Sequence, residues 1–209
     1  QRLVILKNPI KRAHTSVEIF PLIRDRWSPR AFSARTVHQE LLLKLMEAAR
    51  WAASCFNEQP WRFLVATSER PEEHAKALSC LTEANQEWAR HAPVLMLTVV
   101  KNEFTVNGKP NRWCEHDLGL AMGNLTTQAS AEGLVLHHMA GILPDRIREV
   151  YGIPEGFHPM TAVALGYEGE PGSLEPEWAR KSESEPRTRK PLQELFFHQN
   201  WGDPFAAGK

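Results

Sequence analysis

The stretch Val94-Leu95-Met96-Leu97-Thr98-Val99-Val100 constrains the fold of this chain more than any other. It is apolar almost throughout, follows Pro93 and runs into a polar segment, so it reads as a strand buried on both faces. Cover must therefore come from elements on each side of it. The flanking sequence supplies candidates in both directions, and it alternates helix and strand patterns rather than repeating one of them.

Upstream, residues 17–23 carry a loose helical apolar face, and residues 25–29 read as a break. Leu42, Leu45, Met46, Ala49 and Ala52 fall at intervals of three and four, which defines one buried helical stripe. That helix delivers Ser54 to Asn57 at its C-terminal end. Residues 63–66 form a short strand after Pro60. Residues 71–90 are charged, with Ala77, Leu78, Leu81 and Ala84 at helical spacing, and Pro93 stops them.

Downstream, residues 101–113 are polar, with Asn107-Gly108-Lys109-Pro110 as turn chemistry, and predict an exposed excursion. A long helix over 115–132 follows. Leu118, Ala121, Met122, Leu125 and Ala129 make its stripe, Asp117 suits its positive start, and Gly133 ends it. Gly119, Leu120 and Gly123 widen the small or apolar surface, so this helix should be covered on two sides, by its own domain or by a second subunit. Residues 134–139 predict a strand, 144–151 a short helix opened by Pro144-Asp145, and 161–165 a strand closed by Gly166. Residues 168–189, rich in Pro, Gly, Ser, Glu and Arg, predict an extended arm or disordered linker. Leu192, Leu195, Phe196, Phe197, Trp201 and Phe205 then form an apolar cluster that should dock on this subunit or its neighbour.

A chain of 209 residues with this mixture is expected to make a single domain over 1–209, with 168–209 as a C-terminal arm. Its 25 basic and 25 acidic residues cancel, which removes any global electrostatic reason to propose nucleic acid or an anionic membrane as partner. The three cysteines, Cys55, Cys80 and Cys114, are odd in number and far apart. They predict neither a disulfide framework nor a Cys-x-x-Cys metal site, and fit a reducing cytoplasm. No apolar run is long enough to span a bilayer, and the first residues lack the pattern of a signal peptide.

Two short segments carry the chemistry. Arg26-Trp27-Ser28-Pro29-Arg30-Ala31-Phe32 places two guanidinium groups and a hydroxyl within five positions around a stiff proline, which suits bidentate recognition of a phosphate. Ala53-Ser54-Cys55-Phe56-Asn57-Glu58-Gln59-Pro60-Trp61 is a polar loop of small residues and amides ending in an aromatic, suited to close approach to a flat heterocycle. Plainer readings stand beside these. Arg26 and Arg30 are equally compatible with surface pairing to Asp25 or to the acidic late segment, Trp61 and Phe63 with core packing, and Cys55 with a small packing role. His137 and His138 point to opposite sides of a strand and make a poor metal pair, so no metal is expected.

Together with the helix from Asp117-Leu118-Gly119 to Ala131-Glu132-Gly133-Leu134, and with Arg187-Thr188-Arg189-Lys190-Pro191-Leu192, these blocks resemble the nitroreductase family of FMN-dependent oxidoreductases over roughly residues 21–197. The resemblance implies an α+β fold, a mixed and mainly antiparallel sheet flanked by helices, in an intertwined homodimer with FMN at the subunit interface. By position, Arg26, Trp27, Ser28 and Arg30 would hold the FMN phosphate and ribityl chain. Ala53, Ser54, Cys55 and Asn57 would form the loop from the other subunit. Met139, Ala140 and Gly141 would turn their backbone to the isoalloxazine, and Arg187 and Arg189 would form a late basic pair at the phosphate, although a solvated linker reads the same way.

The implied activity is transfer of a hydride from NADH or NADPH, through FMN, to a nitroaromatic, quinone or activated alkene, with ping-pong kinetics and no catalytic side chain. An FMN-binding or storage protein and a flavin-modifying or dehalogenating relative are the alternatives. Trp27, Ala53, Cys55 and Ala140 depart from residues common in the family, where Arg or His, Pro, a small hydroxyl and an acid are usual. The departure at Ala140 weakens any mechanism that leans on a carboxylate there.

Overall fold

The computed structural model describes residues 9–205. Helix α1 spans Pro21–Asp25, and α2 spans Gln39–Arg50. Strand β1 runs Trp61–Thr67, followed by α3 at Pro71–Leu78, α4 at Glu83–Ala89, and β2 at Val94–Lys101. Helix α5 spans Cys114–Ala131, β3 Val135–Met139, α6 Pro144–Tyr151, β4 Phe157–Gly166 and α7 Glu177–Ser184. The four strands form one sheet in the order β1-β2-β4-β3, antiparallel at every pairing.

Alternation along the strands explains the layers. Val94, Met96 and Val100 of β2, with Val163 and Leu165 of β4 and Leu136 of β3, face the stripe of α5 and the buried side of α2. Leu95 and Leu97, with Ala162, Ala164, Val135 and Met139, face the other cluster, which holds Ala77, Leu81, Trp88, Ile147 and Ala179. The central strand is thus covered on both faces, as its sequence requires. Thr98 is fully buried, yet its hydroxyl lies 2.8 Å from that of Thr161 and accepts the Thr161 amide at 3.0 Å. This satisfies the polar groups where the register shifts between Thr98 and Val99.

Several expectations are revised. The first helix begins only at Pro21, because the residue before a proline is pushed out of the helical region, and Phe20 has ψ 131°. The 71–90 segment is two helices: Leu81 bridges Ile142, and the Leu143 amide donates to the Cys80 carbonyl at 2.8 Å, so tertiary pairing breaks a periodicity that looks continuous. The last strand starts at Phe157, with Pro159 seated beside the register shift. Residues 168–189 are not a bare linker, since they contain α7 and bury Leu174, Ala179 and Glu183.

Two surfaces stay open. Helix α5 is covered on one side only, leaving Gly119, Leu120, Gly123 and Thr127 exposed beside Leu43 and Trp51 at α2. The terminal cluster folds on itself, with Phe197 bridging Pro204 and its ring 5.0 Å from Trp201, but Trp201 is 92% exposed. Leu192, Leu195, Phe196 and Phe205 are exposed as well, so the cluster lies largely open. Among the described residues, no helix is long and apolar enough to cross a membrane, and no acidic, His or Cys group could hold a metal.

Candidate functional site

The segment after α1 is held from three sides. His137 of β3 lies 3.0 Å from the Ser28 carbonyl and 3.1 Å from that of Pro29, with Nδ1 as donor. Burial, then the charge of Arg30, pushes its imidazole down to about 4, so it holds these carbonyls as the neutral tautomer. Arg187 donates to the carbonyls of Arg26 and Arg24, which straps the late segment onto the early one. Lys11 donates to the carbonyls of Ser182 at 2.6 Å and Glu185 at 2.5 Å, and its ammonium sits 5.0 Å over the Trp27 ring.

These fastenings leave Arg26 unneutralised. Asp25 is taken by Arg24 at 2.7 Å and Arg12 at 3.1 Å. Arg26 donates to the Ser28 hydroxyl at 3.2 Å. Burial, and then the charge of Arg189, lowers its pKa. Arg189 is exposed and donates only to the Thr188 carbonyl. Among the described residues, neither guanidinium has a carboxylate partner, and Arg187 and His138 both feel the charge of Arg26 as well. A half-buried Arg26 beside the exposed Arg189, neither with a carboxylate partner among the described residues, suits an anion that offers several oxygens.

Arg30 is placed differently. Its guanidinium lies between Trp88 at 5.8 Å and Trp178 at 5.1 Å, and donates to the Ser182 hydroxyl at 2.8 Å. The Arg30 amide donates to Glu183 at 2.9 Å, and burial raises the pKa of that carboxyl. Arg30 therefore joins α7 to the 26–32 segment, and Arg187 serves as a strap. Trp27, 4% exposed, has its side chain in the core, so only its backbone can face a ligand.

The second segment curls into a left-handed loop. Phe56, Asn57 and Gln59 have φ of 51°, 56° and 51°, a conformation that costs an ordinary residue on the order of 1 kcal/mol each. Among the hydrogen bonds that hold it, the Cys55 amide donates to Asp117 at 2.9 Å, and the Gln59 amide donates to the Ser54 hydroxyl at 3.0 Å. Ala53 and Asn57 are exposed, with Ser54 and Cys55 half-buried between them.

A third segment is the backbone after β3. The Gly141 carbonyl accepts from the Thr82 amide at 3.0 Å, the Asn85 side chain at 3.0 Å and the Thr82 hydroxyl at 3.3 Å. A Cβ at Gly141 would meet Asn85 at 2.5 Å and Thr82 at 2.6 Å, so the position admits glycine alone without a shift. Met139 is buried, while Ala140 is exposed next to it.

One chain brings together only part of this set. Arg26, Ser28 and the 187–189 arm converge, and β3 supports them through His137 and His138. The loop at Asp117 lies elsewhere along α5: His138 contacts Thr126 at 3.2 Å, and Thr126 and Asp117 are about 13 Å apart along the helix axis. The sequence reading missed His137, His138, Trp178, Glu183 and Lys11 as supports of the site. Only the adjacent histidines carried a usable signal, polar residues in an apolar strand.

Comparison with known proteins agrees with this architecture. The model of the nitroreductase family matches residues 23–167. A crystal structure of an oxidoreductase containing FMN superposes with a TM-score of 0.85 at 34% identity, covering 94% of this chain and 98% of that one. The major NAD(P)H-flavin oxidoreductase of Aliivibrio fischeri is 25% identical over 190 residues, covering 70% of this chain and 87% of its own. An iodotyrosine deiodinase of Haliscomenobacter hydrossis is 24% identical over 204 residues, covering 84% and 90%. The α+β fold and its site segments define a flavoprotein-type scaffold, and the chain belongs to the nitroreductase family.

Proposed function

We propose that this chain is an FMN-dependent oxidoreductase that works as a homodimer, taking electrons from NADH or NADPH and delivering them to a small electron-poor acceptor. The observation that carries the reading is the pair Arg26 and Arg189, brought together without a carboxylate partner. The residues fit the group: two guanidiniums and the Ser28 hydroxyl suit a phosphate monoester, and the backbone after β3 is pinned by Thr82 and Asn85 at Gly141, which gives a ring a fixed wall. The similar oxidoreductase containing FMN supports the same assignment.

When bound, FMN supplies the two-electron chemistry. The chain supplies position. Arg26, Ser28 and Arg189 hold the phosphate, with Arg187 and His137 fixing the backbone that presents them. Met139, Ala140 and Gly141 form a wall whose carbonyl is drawn inward by Thr82 and Asn85. Ala53, Ser54, Cys55 and Asn57 come from the second copy, since they lie away from Arg26 within one chain. The open side of α5 and the unplaced terminal cluster support such a dimer.

Nothing here needs a side-chain nucleophile. Donor and acceptor take turns at one open face, nitroaromatics, quinones and activated alkenes being the acceptors, and the similar deiodinase adds iodinated phenols to those worth assaying. The test is initial-rate kinetics with NADH or NADPH against nitrobenzene. Parallel double-reciprocal lines support the reading, and converging lines or no turnover overturn it.

A further inference from the structure

Thr82 stands at the N-cap of α4, the position where a threonine hydroxyl ordinarily accepts an amide of the first helical turn. Here its side chain makes no capping bond. The hydroxyl lies instead 3.3 Å from the Gly141 carbonyl, which also accepts the Thr82 amide at 3.0 Å and the Asn85 side-chain amide at 3.0 Å. Three donors from the start of one helix thus converge on a single carbonyl oxygen. The helix gives up a cap worth about 1 kcal/mol to supply one of them.

The neighbouring backbone is ordered in the same sense. The Ala140 carbonyl accepts the Ile142 amide at 2.9 Å, Leu81 bridges Ile142, and the Leu143 amide donates to the Cys80 carbonyl at 2.8 Å. Every one of these bonds joins segments of the same chain. Both carbonyls of the 140–141 turn are therefore committed, whereas the Gly141 amide has no acceptor among the described residues. A turn with its acceptors withdrawn offers donors to a ring laid against it, and donors stabilise an electron-rich ring more than an electron-poor one.

We propose that Thr82 and Asn85 are positioning residues that raise the reduction potential of the bound flavin by holding the Gly141 carbonyl toward α4 and away from the ring. Without their side chains, the Thr82 amide and the bridge from Leu81 to Ile142 still keep the segment folded, but the peptide after Gly141 gains freedom to tilt its oxygen toward the ring. An oxygen dipole there disfavours the reduced, electron-rich flavin more than the oxidised one. This rests on the FMN reading above and adds to it a determinant of how readily the flavin accepts electrons.

The test is an anaerobic spectroelectrochemical titration of the FMN-loaded protein in wild type, Asn85→Leu, Thr82→Val and Thr82→Ser. Asn85→Leu should lose roughly tenfold in preference for reduced over oxidised FMN, read as a midpoint potential lowered by about 30 mV. Thr82→Val, which removes the longer bond, should lose about threefold, or about 15 mV, and Thr82→Ser should match wild type. An unchanged or raised potential in Asn85→Leu overturns the proposal while leaving the FMN reading intact. So does a fall in Thr82→Ser equal to that in Thr82→Val, which would trace the effect to packing rather than to the hydroxyl. Should Asn85→Leu fail to hold FMN, the Thr82 pair decides the matter on the same terms. A wild type that retains no FMN removes the FMN reading itself, and this inference with it.

Discussion

Asp117, in the first turn of α5, accepts the amide of Cys55 at 2.9 Å and is 2% exposed. One buried carboxylate thus sets the position of the strained 53–59 loop relative to the longest helix. Replacing it by alanine leaves the Cys55 amide without its acceptor. Asp117→Ala should lower stability by about 1–3 kcal/mol in urea unfolding and reduce FMN retention, with Asp117→Asn recovering much of both. Unchanged stability in the alanine variant would show that the loop is held by other contacts.

On the proposed reading Arg26 and Arg189 hold the FMN phosphate, a role that separates FMN from riboflavin. Arg189→Ala should weaken FMN binding by about ten- to hundredfold while leaving riboflavin affinity nearly unchanged. Arg30→Ala should behave differently, lowering thermal stability through loss of the Trp88 and Trp178 contacts with a smaller effect on FMN. Equal loss of both flavins in Arg189→Ala would contradict the assignment.

His137 gives the fold an acid limb. Its pKa falls from 6.5 to about 4 on folding, so the unfolded chain binds more protons between these values. Stability from this group is full above pH 6.5, declines as pH falls, and is lost below about 4, by at most on the order of 3 kcal/mol. His138 is shifted in the same direction, first by burial and then by Arg26, and adds to the trend. Denaturant midpoints measured from pH 7 to pH 4 should fall steeply in wild type and less steeply in His137→Gln. Parallel profiles would contradict this.

Leu120 is 41% exposed on the uncovered side of α5, amid Gly119 and Gly123. In a dimer built on that face, Leu120→Glu buries an unpaired charge, so sedimentation should show monomers where wild type is dimeric, with FMN lost alongside. A dimer that survives the substitution would place the interface elsewhere.

Much of the fold is legible because local and tertiary forces agree. The apolar run at β2, the stripe of α5 ending at Gly133 with φ +75°, and α6 between Pro144 and the left-handed Gly152 all follow from neighbours in sequence. The illegible parts are decided at long range. The break after Leu78 depends on Ile142 and Leu143, and α7 on Lys11 and Arg30, whose contacts lie more than a hundred residues away. The site shows the same division. Residue types singled out the Arg26 segment and the 53–59 loop as candidates, and Gly141 followed only from the family resemblance, whereas the partners that distinguish Arg26 from Arg30 and Arg189 from Arg187 come only from packing.

The most direct test of the account is a visible spectrum of the purified protein after loading with FMN and desalting, repeated anaerobically with NADH and then NADPH. One FMN should be retained per chain, and at least one donor should bleach it. A protein that retains no FMN, or a bound flavin that neither donor reduces, would contradict it.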